Sequence, residues 1–151
     1  MTEPIASARR ILGKGLALVA TDPGDDIGLD IAFVGGDLAC AIGEDALMQD
    51  LRVAFCTGLG TDPLNTGFGS DAFAAMAQET DTIVQRERIR VAVIRVLRSD
   101  PRVRRVVEVR INGEPRPFAA ERTTALAITA VFETALRDFA TIAIEGMPDA
   151  G

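Results

Sequence analysis

The chain has 151 residues, with 22 acidic and 16 basic side chains and a formal net charge of −6. Its hydrophobic content of 48% excludes disorder over most of the length and suits one domain with a core of its own. Because it contains no His, Trp or Tyr, it lacks the residue most used for acid–base chemistry near neutral pH and the rings on which sugars stack. With two Cys and no His, we expect neither a metal site nor a cofactor. Cys40 and Cys56 stand in apolar sequence surroundings, so we interpret them as buried small hydrophobic residues.

The first part of the chain predicts a helical or loose lead-in over Met1–Gly15, followed by short strands. The lead-in lacks the charged, apolar and small-residue order of a signal peptide, and no apolar run approaches the ~20 residues of a membrane span. We therefore expect a cytoplasmic protein without a membrane span. Leu16–Ala20 is a short apolar run that ends in the turn sequence TDPGDD. Beyond it, alternation predicts a strand that Gly35 and Gly36 interrupt, with an apolar side made of Ile27, Leu29, Ile31 and Phe33.

Three helices are predicted in the middle of the chain. Gly43–Leu59 has acidic residues in its first turn and an apolar face at helical spacing. Ser70 is the expected N-cap of a short second helix, and Asp81 is the expected N-cap of a longer third one. Pro101 stops the third helix and favours an extended Asp100. Its inward face is predicted to consist of Ile89, Ala92, Val93, Val96 and Leu97.

The stretch LGTDPLNTGFGSDAF between the first two helices is rich in glycine. It contains neither a dinucleotide-binding fingerprint nor a P-loop, and no Lys follows it, so we do not expect it to hold a phosphate. We interpret it as a structured connector whose glycines allow a sharp bend. The residues that define this scaffold loop are Gly60, Pro63, Gly67, Gly69 and Ser70.

From Val103 onwards the apolar period changes to two, which predicts strands. In VRRVVEVRI, the predicted inward side consists of Val107, Val109 and Ile111. NGEPRPF is expected to form an exposed tip, and the segments ERTTALAITAVFE and LRDFATIAIEG predict two further strands. The predicted fold class is therefore α+β, with early strands, a helical middle and a C-terminal antiparallel sheet.

Two other classes of function remain open at this point. Nine Arg lie between Arg86 and Arg110, so an Arg-rich helix could serve a nucleic-acid-associated module. The net negative charge and the absence of aromatic residues between Phe73 and Phe118 argue against it. A small glycan hydrolase would need two acids across a cleft, one of them in an apolar pocket. The acidic candidates lack such a frame; they are Glu44, Asp45, Asp62, Asp71 and Glu79.

The order of these segments resembles the small baseplate wedge family of contractile phage tails and related injection systems, a family often catalogued as lysozyme-like. The matching positions are Thr57, Gly60, Pro63, Gly67, Gly69 and Ser70, followed by Asp100, Pro101 and Arg102. The resemblance covers roughly residues 27–146 and leaves 1–26 as an N-terminal extension and 147–151 as a loose tail. Asp100 departs from the family pattern, which usually has Glu at that position.

The resemblance implies a structural, non-enzymatic protein that is present in several copies in a sixfold ring around the tail tube. It implies larger wedge proteins, the sheath protein and central hub or tube proteins as partners, with no nucleic acid and no cofactor. Asp100, Pro101 and Arg102 are the expected docking turn. The C-terminal strands are expected to receive the first sheath ring, since short apolar edge strands invite pairing with another chain. The residues assigned to that role are Ile128, Ile142 and Ile144.

The same resemblance implies that the protein is cytoplasmic during assembly and then part of the tail baseplate of a phage particle or injection system. The lysozyme label itself does not carry over, because no pair of acids supports it.

Overall fold

The computed structural model describes residues 3–20, 29–112 and 127–144, and within them the predicted α+β class is confirmed. The helices are α1 (Glu3–Leu12), α2 (Glu44–Cys56), α3 (Ala72–Gln78) and α4 (Thr82–Ser99). The strands are β1 (Lys14–Leu16), β2 (Leu18–Ala20), β3 (Leu29–Ile31), β4 (Phe33–Val34), β5 (Asp37–Leu38), β6 (Cys40–Ile42), β7 (Val103–Asn112), β8 (Ala127–Thr134) and β9 (Phe139–Ile144).

Some predicted features fall outside the described residues. These are the acidic turn at 21–26, the strand residue Ile27, most of the tip at 112–118, the tail at 147–151 and the domain limits at residues 26 and 146. The chain itself divides into two compact units, Met1–Asp50 and Leu51–Gly151, with the boundary inside α2.

The first unit contains three two-stranded antiparallel ribbons, in which β1 pairs with β6, β2 with β3, and β4 with β5. The predicted alternating strand is therefore divided between β3 and β4. Gly35 and Gly36 both have a positive φ and form the tight turn between β4 and β5, which explains why Gly occupies both positions.

The three ribbons meet at a closed triangle of main-chain hydrogen bonds. Ala17 N donates to Ala39 O, Ala39 N donates to Ala32 O, and Ala32 N donates to Ala17 O, each at 2.9 Å. Each alanine stands between two strands, so the chain exchanges one pairing partner for another at that residue. The triangle therefore satisfies main-chain groups at the junction that ordinary ladders would leave unpaired.

Gln49 of α2 secures the same junction from the side. Its Oε1 accepts a hydrogen bond from Leu18 N at 2.8 Å, and its Nε2 donates to Leu16 O at 2.6 Å. Ala17 is the residue between β1 and β2. The Gln49 amide therefore binds the main-chain carbonyl before Ala17 and the main-chain N–H after it. A side-chain amide carries both groups, so it replaces a neighbouring strand at this point.

The second unit has a three-stranded antiparallel sheet in the order β7-β8-β9. Helix α4 begins as predicted: Asp81 Oδ1 accepts hydrogen bonds from Ile83 N at 2.8 Å and Val84 N at 3.2 Å. It ends at an extended Asp100 before Pro101, also as predicted. The five residues of its predicted inward face are all buried, and the sheet adds the buried side chains Ile128, Ala130, Phe132, Ala140, Ile142 and Ile144.

Strand β7 departs from the predicted pattern. Val107 was expected to face inward with Val109 and Ile111, but 51% of its surface is exposed, and Val106 is the half-buried residue. The pairing register with β8 shifts between Val103 and Arg105 and again between Val106 and Glu108. A bulge adds a residue to one strand, so it moves the following side chains to the other face.

Three local predictions also need correction. Helix α2 starts after Gly43, whose φ of +67° is not helical, and it ends at Cys56 instead of Leu59. The N-cap of α3 is Asp71, whose side chain makes no capping bond, whereas Ser70 Oγ accepts a hydrogen bond from Ala72 N at 3.2 Å.

Both cysteines are exposed free thiols and not buried residues. Cys40 lies on a two-stranded ribbon and Cys56 is the last residue of α2, and in both places an apolar sequence context does not imply burial.

Candidate functional site

The turn from Asp100 to Arg102 is a small closed structure between α4 and β7. Arg102 binds the Asp100 carboxylate in a bidentate manner, with Nε to Oδ1 at 2.9 Å and Nη2 to Oδ2 at 2.6 Å. Arg102 N also donates to Asp100 Oδ1 at 2.9 Å, and Val103 N donates to Asp100 O at 3.0 Å. Pro101 between them is exposed. These bonds fix the turn before any partner arrives, because a forked Arg–carboxylate pair has one preferred geometry.

The electrostatics of this turn favour a charged pair. Burial of the Asp100 carboxyl raises its pKa, but the hydrogen bonds and charge of Arg102 together lower it by more. The pKa of Asp100 therefore lies below its ordinary value of 3.8, and the ion pair is intact at neutral pH. Side-chain exposure is 21% for Arg102 and 15% for Asp100, so the pair belongs partly to the fold itself.

A second charged group, which the sequence did not single out, surrounds Glu133. Arg104 Nη1 lies 2.7 Å from Glu133 Oε1, and Arg105 Nη2 lies 3.0 Å from Glu133 Oε2. Burial opposes ionisation of Glu133, but the two guanidinium groups outweigh it, so the pKa of Glu133 lies below its ordinary value of 4.5. In the sequence, Glu133 is an acid near the end of a predicted strand, and its partners Arg104 and Arg105 precede it by 29 and 28 residues. A local sequence pattern therefore does not indicate this group.

Three of the six other arginines of the basic block also contact carboxylates. Arg88 pairs with Glu79, and Arg90 pairs with Glu87. Arg110 contacts Glu108, with its Nε 2.6 Å from Glu108 Oε1. Together with the two groups above, six arginines of the predicted basic block contact carboxylates. On α4 itself these contacts involve Arg88 and Arg90, and the other four arginines lie in the turn after α4 and on β7.

The scaffold loop is closed at its base. Ser70 N donates to Thr57 O at 2.8 Å, and Leu59 N donates to Ser70 O at 3.0 Å, which joins Gly58 and Ser70 in a parallel bridge. Inside the loop, Asp62 Oδ1 accepts a hydrogen bond from Leu64 N at 2.9 Å. Such a loop, with joined ends and internal turns, is compact although it has no helix or strand of its own.

The predicted glycines of this loop have different roles. At Gly69, φ is +104° and a Cβ would lie 2.7 Å from Thr57 O, so no side chain fits there. Gly60 also has a positive φ of +80°, but a Cβ there would meet nothing closer than 3.9 Å. Gly67 has neither a positive φ nor a close neighbour. Pro63 and the 97% exposed Leu64 stand at an exposed turn.

Strand β9 is an edge of the sheet within the described residues, because its described neighbour is β8 alone. At the hairpin, Thr134 N donates to Asp138 O at 2.8 Å, which makes these two residues a hydrogen-bonded pair. The register from there to the end of β9 has no shift. Since bonded and non-bonded pairs alternate in antiparallel strands, every second residue of β9 turns its main-chain groups away from β8. These residues are Phe139, Thr141 and Ala143.

The three isoleucines assigned to sheath contact occupy different positions with respect to this edge. Ile128 lies on the central strand β8, and Ile142 and Ile144 lie on β9. All three side chains are buried, and the register turns the N–H groups of Ile142 and Ile144 towards β8. A strand added at this edge would therefore bind the main chain of Phe139, Thr141 and Ala143, which alternate with Ile142 and Ile144 on β9.

No cluster of His, Cys, Asp or Glu suited to a metal ion occurs among residues 3–20, 29–112 and 127–144. In the same ranges, no helix combines the length and the apolar character needed to cross a membrane. Comparison with known proteins found no matching family model, no matching curated protein and no matching solved structure.

Proposed function

We propose that this chain is a structural, non-enzymatic component of a baseplate wedge in a contractile tail or injection system. In this proposal it docks to larger wedge proteins through the Asp100–Arg102 turn, stands in several copies in a ring around hub or tube proteins, and initiates sheath assembly at the edge of β9. The observation that carries the proposal is that, within the described residues, this edge lacks the features that normally protect an edge strand.

The two edges of the sheet differ in the features that normally prevent strand addition. Strand β7 carries two register shifts and the charged residues Arg104, Arg105, Glu108 and Arg110. Strand β9 is six residues long and has no register shift, no charge and no Pro. Natural proteins protect sheet edges with bulges, charges and proline, so an edge without them is suited to receive another strand.

The alternative functions receive less support from the same residues. Six of the nine arginines of the basic block contact carboxylates, so a nucleic-acid module would have fewer uncompensated cations to offer to phosphates. Two of the acids considered for a glycan hydrolase have other partners: Glu79 pairs with Arg88, and Asp62 accepts a hydrogen bond from Leu64 N within the scaffold loop.

The edge is tested by Thr141→Pro. The N–H of Thr141 points away from β8, so proline there removes an outward donor and leaves the internal ladder intact. We expect a folded variant that enters baseplates but yields no sheath. Thr141→Val is the matched control, because it keeps the N–H and should give normal sheaths. Normal sheaths from a folded Thr141→Pro variant would refute strand addition at β9.

The docking turn is tested in the same assembly assay by Arg102→Ala. This variant loses the forked pair with Asp100 and should fail to enter baseplates, at an earlier stage than Thr141→Pro. Arg98→Ala removes an exposed arginine from the last turn of α4 and serves as the control. Circular dichroism and thermal unfolding establish whether Arg102→Ala is folded. Entry of the folded variant into baseplates at the wild-type level would contradict the docking role.

A further inference from the structure

Strand β9 offers a continuous edge to another strand. Within the described residues β8 is its one neighbour, and Phe139, Thr141 and Ala143 turn their main-chain groups away from it. The side chains of the same three residues are exposed on one side of the sheet, which we call its outer face, and Phe139 has 66% of its surface accessible. Each of the three can therefore exchange two hydrogen bonds with an added strand.

A second copy of β9 fits this edge in one register better than in its neighbours. When a two-fold axis passes through Thr141, the two antiparallel strands place Thr141 opposite Thr141 and Phe139 opposite Ala143. Every outward residue then has a partner, with two main-chain hydrogen bonds at each of the three pairs. An axis at Ala140 or Ile142 leaves one outward residue of each strand without a β9 partner, so it gives fewer bonds.

The side chains of the outer face are complementary in this register. Residues directly opposite each other share a face, so the large ring of Phe139 lies beside the small Ala143 of the second copy at both ends of the pair. At the axis two threonines face each other, and cross-strand threonine pairs stabilise a sheet. Strand β9 contains no charged residue, so a second copy brings no like charge to the edge.

The opposite edge of the sheet explains why the assembly would stop at two copies. Two chains joined at β9 form one sheet in the order β7-β8-β9-β9-β8-β7. Both of its edges are β7, which has two register shifts and charged residues such as Arg105, Glu108 and Arg110. Bulges and charges oppose further strand addition. A second copy therefore covers the unprotected edge of both chains at once and gives a closed two-fold assembly.

We propose that the free chain forms a two-fold dimer through antiparallel pairing of β9, with Thr141 on the axis. The paired strand has six residues, against about 20–30 residues a side in a standard interface, so the dimer belongs to the weak, reversible class. The inference depends on the edge of β9 and does not rest on the proposed function. If that edge also receives the sheath, the dimer has to dissociate before sheath assembly begins.

The dimer is tested by sedimentation equilibrium of the reduced full chain up to about 1 mM, the weak end of specific affinities. Wild type should show a reversible monomer–dimer equilibrium. Thr141→Pro removes the outward N–H on the axis of both copies and should weaken the dimer by about tenfold or more. Thr141→Val keeps the N–H and the β-branched shape, so it should change the dissociation constant by about twofold or less. Circular dichroism and thermal unfolding check that both variants are folded.

Disulfide trapping tests the register, in a variant whose exposed Cys40 and Cys56 are replaced by serine. Thr141→Cys places two thiols on opposite residues, whose Cα atoms lie about 5.5 Å apart, within the disulfide range of about 4.4–6.8 Å. It should form a covalent dimer under mild oxidation. Ala143→Cys alone should not, because its two copies lie about 14 Å apart, four residues along the strand. A mixture of Ala143→Cys and Phe139→Cys chains should cross-link.

Three results would overturn the proposal. One is a wild-type chain that remains monomeric at about 1 mM. Another is equal dimerisation of the folded Thr141→Pro and Thr141→Val variants, which would place the contact elsewhere on the chain. The third is cross-linking of Ala143→Cys with itself as fast as Thr141→Cys, which would exclude the register. None of these results changes the expected sheath phenotype of Thr141→Pro, so the dimer and the proposed function fail independently.

Discussion

Replacement of Gly69 by alanine tests whether the closed scaffold loop contributes to stability. The new Cβ would lie 2.7 Å from Thr57 O and 2.8 Å from Gly58 O, distances that real Cβ atoms do not reach. The base of the loop must open, and this weakens the bonds from Ser70 N to Thr57 O and from Leu59 N to Ser70 O.

The size of the effect follows from these contacts. Two main-chain hydrogen bonds contribute about 0.5–1.5 kcal/mol each, and a side chain at an unfavourable positive φ costs about 1–3 kcal/mol. We therefore expect Gly69→Ala to reduce the free energy of unfolding by about 3 kcal/mol, which lowers Tm by on the order of 10 °C.

Two further glycines of the loop calibrate the measurement. Gly67→Ala meets no atom closer than 3.9 Å and needs no positive φ, so it should change stability by less than about 0.5 kcal/mol. At Gly60 a Cβ has space, but the φ of +80° is unfavourable for alanine, so Gly60→Ala should lower the free energy of unfolding by about 1–2 kcal/mol. Urea unfolding of the three variants gives the comparison. A Gly69→Ala variant as stable as Gly67→Ala would show that the close contact has been misjudged.

Three other predictions concern single contacts. Gln49→Leu should lower the free energy of unfolding by about 1–2 kcal/mol, because it leaves Leu16 O and Leu18 N without their hydrogen bonds to the Gln49 amide. Hydrogen exchange at Leu18 N should also accelerate. Unchanged exchange would show that the amide does not protect Leu18 N. Arg137→Gly should increase the free energy of unfolding by about 0.5–1 kcal/mol and raise Tm, because Arg137 has a φ of +67° in the hairpin turn, which glycine adopts more easily. A loss of stability would refute this. Asp100 has a lowered pKa, so its ionised form stabilises the fold above about pH 4, and this contribution is lost as the pH falls below 3.8. Asp100→Asn should thus be about 1–2 kcal/mol less stable than wild type at pH 7, and this difference should shrink as the pH falls below 3.8. A difference that stays constant over that range would exclude the ionised carboxylate as its cause.

The elements that sequence predicted well are those that local rules determine. Asp81 caps α4, Pro101 ends it, and its buried face follows from helical spacing, since each depends on residues close in sequence. Strand β9 likewise alternates over its whole length, and β8 alternates up to Phe132.

The features that sequence reasoning missed depend on partners distant in the chain. Val107 is exposed because bulges shift its register against β8, and the partner strand decides where a bulge forms. Glu133 binds arginines from a neighbouring strand, and Gln49 reaches back to Leu16 and Leu18 from a helix.

The most direct test of the proposed function is quantitative affinity purification of the tagged chain from its native host, followed by mass spectrometry of what accompanies it. We predict recovery of sheath, tube and larger wedge proteins in fixed ratios. Recovery of nucleic acid, or of a monomer alone with activity on cell walls, would contradict the assignment as a baseplate component.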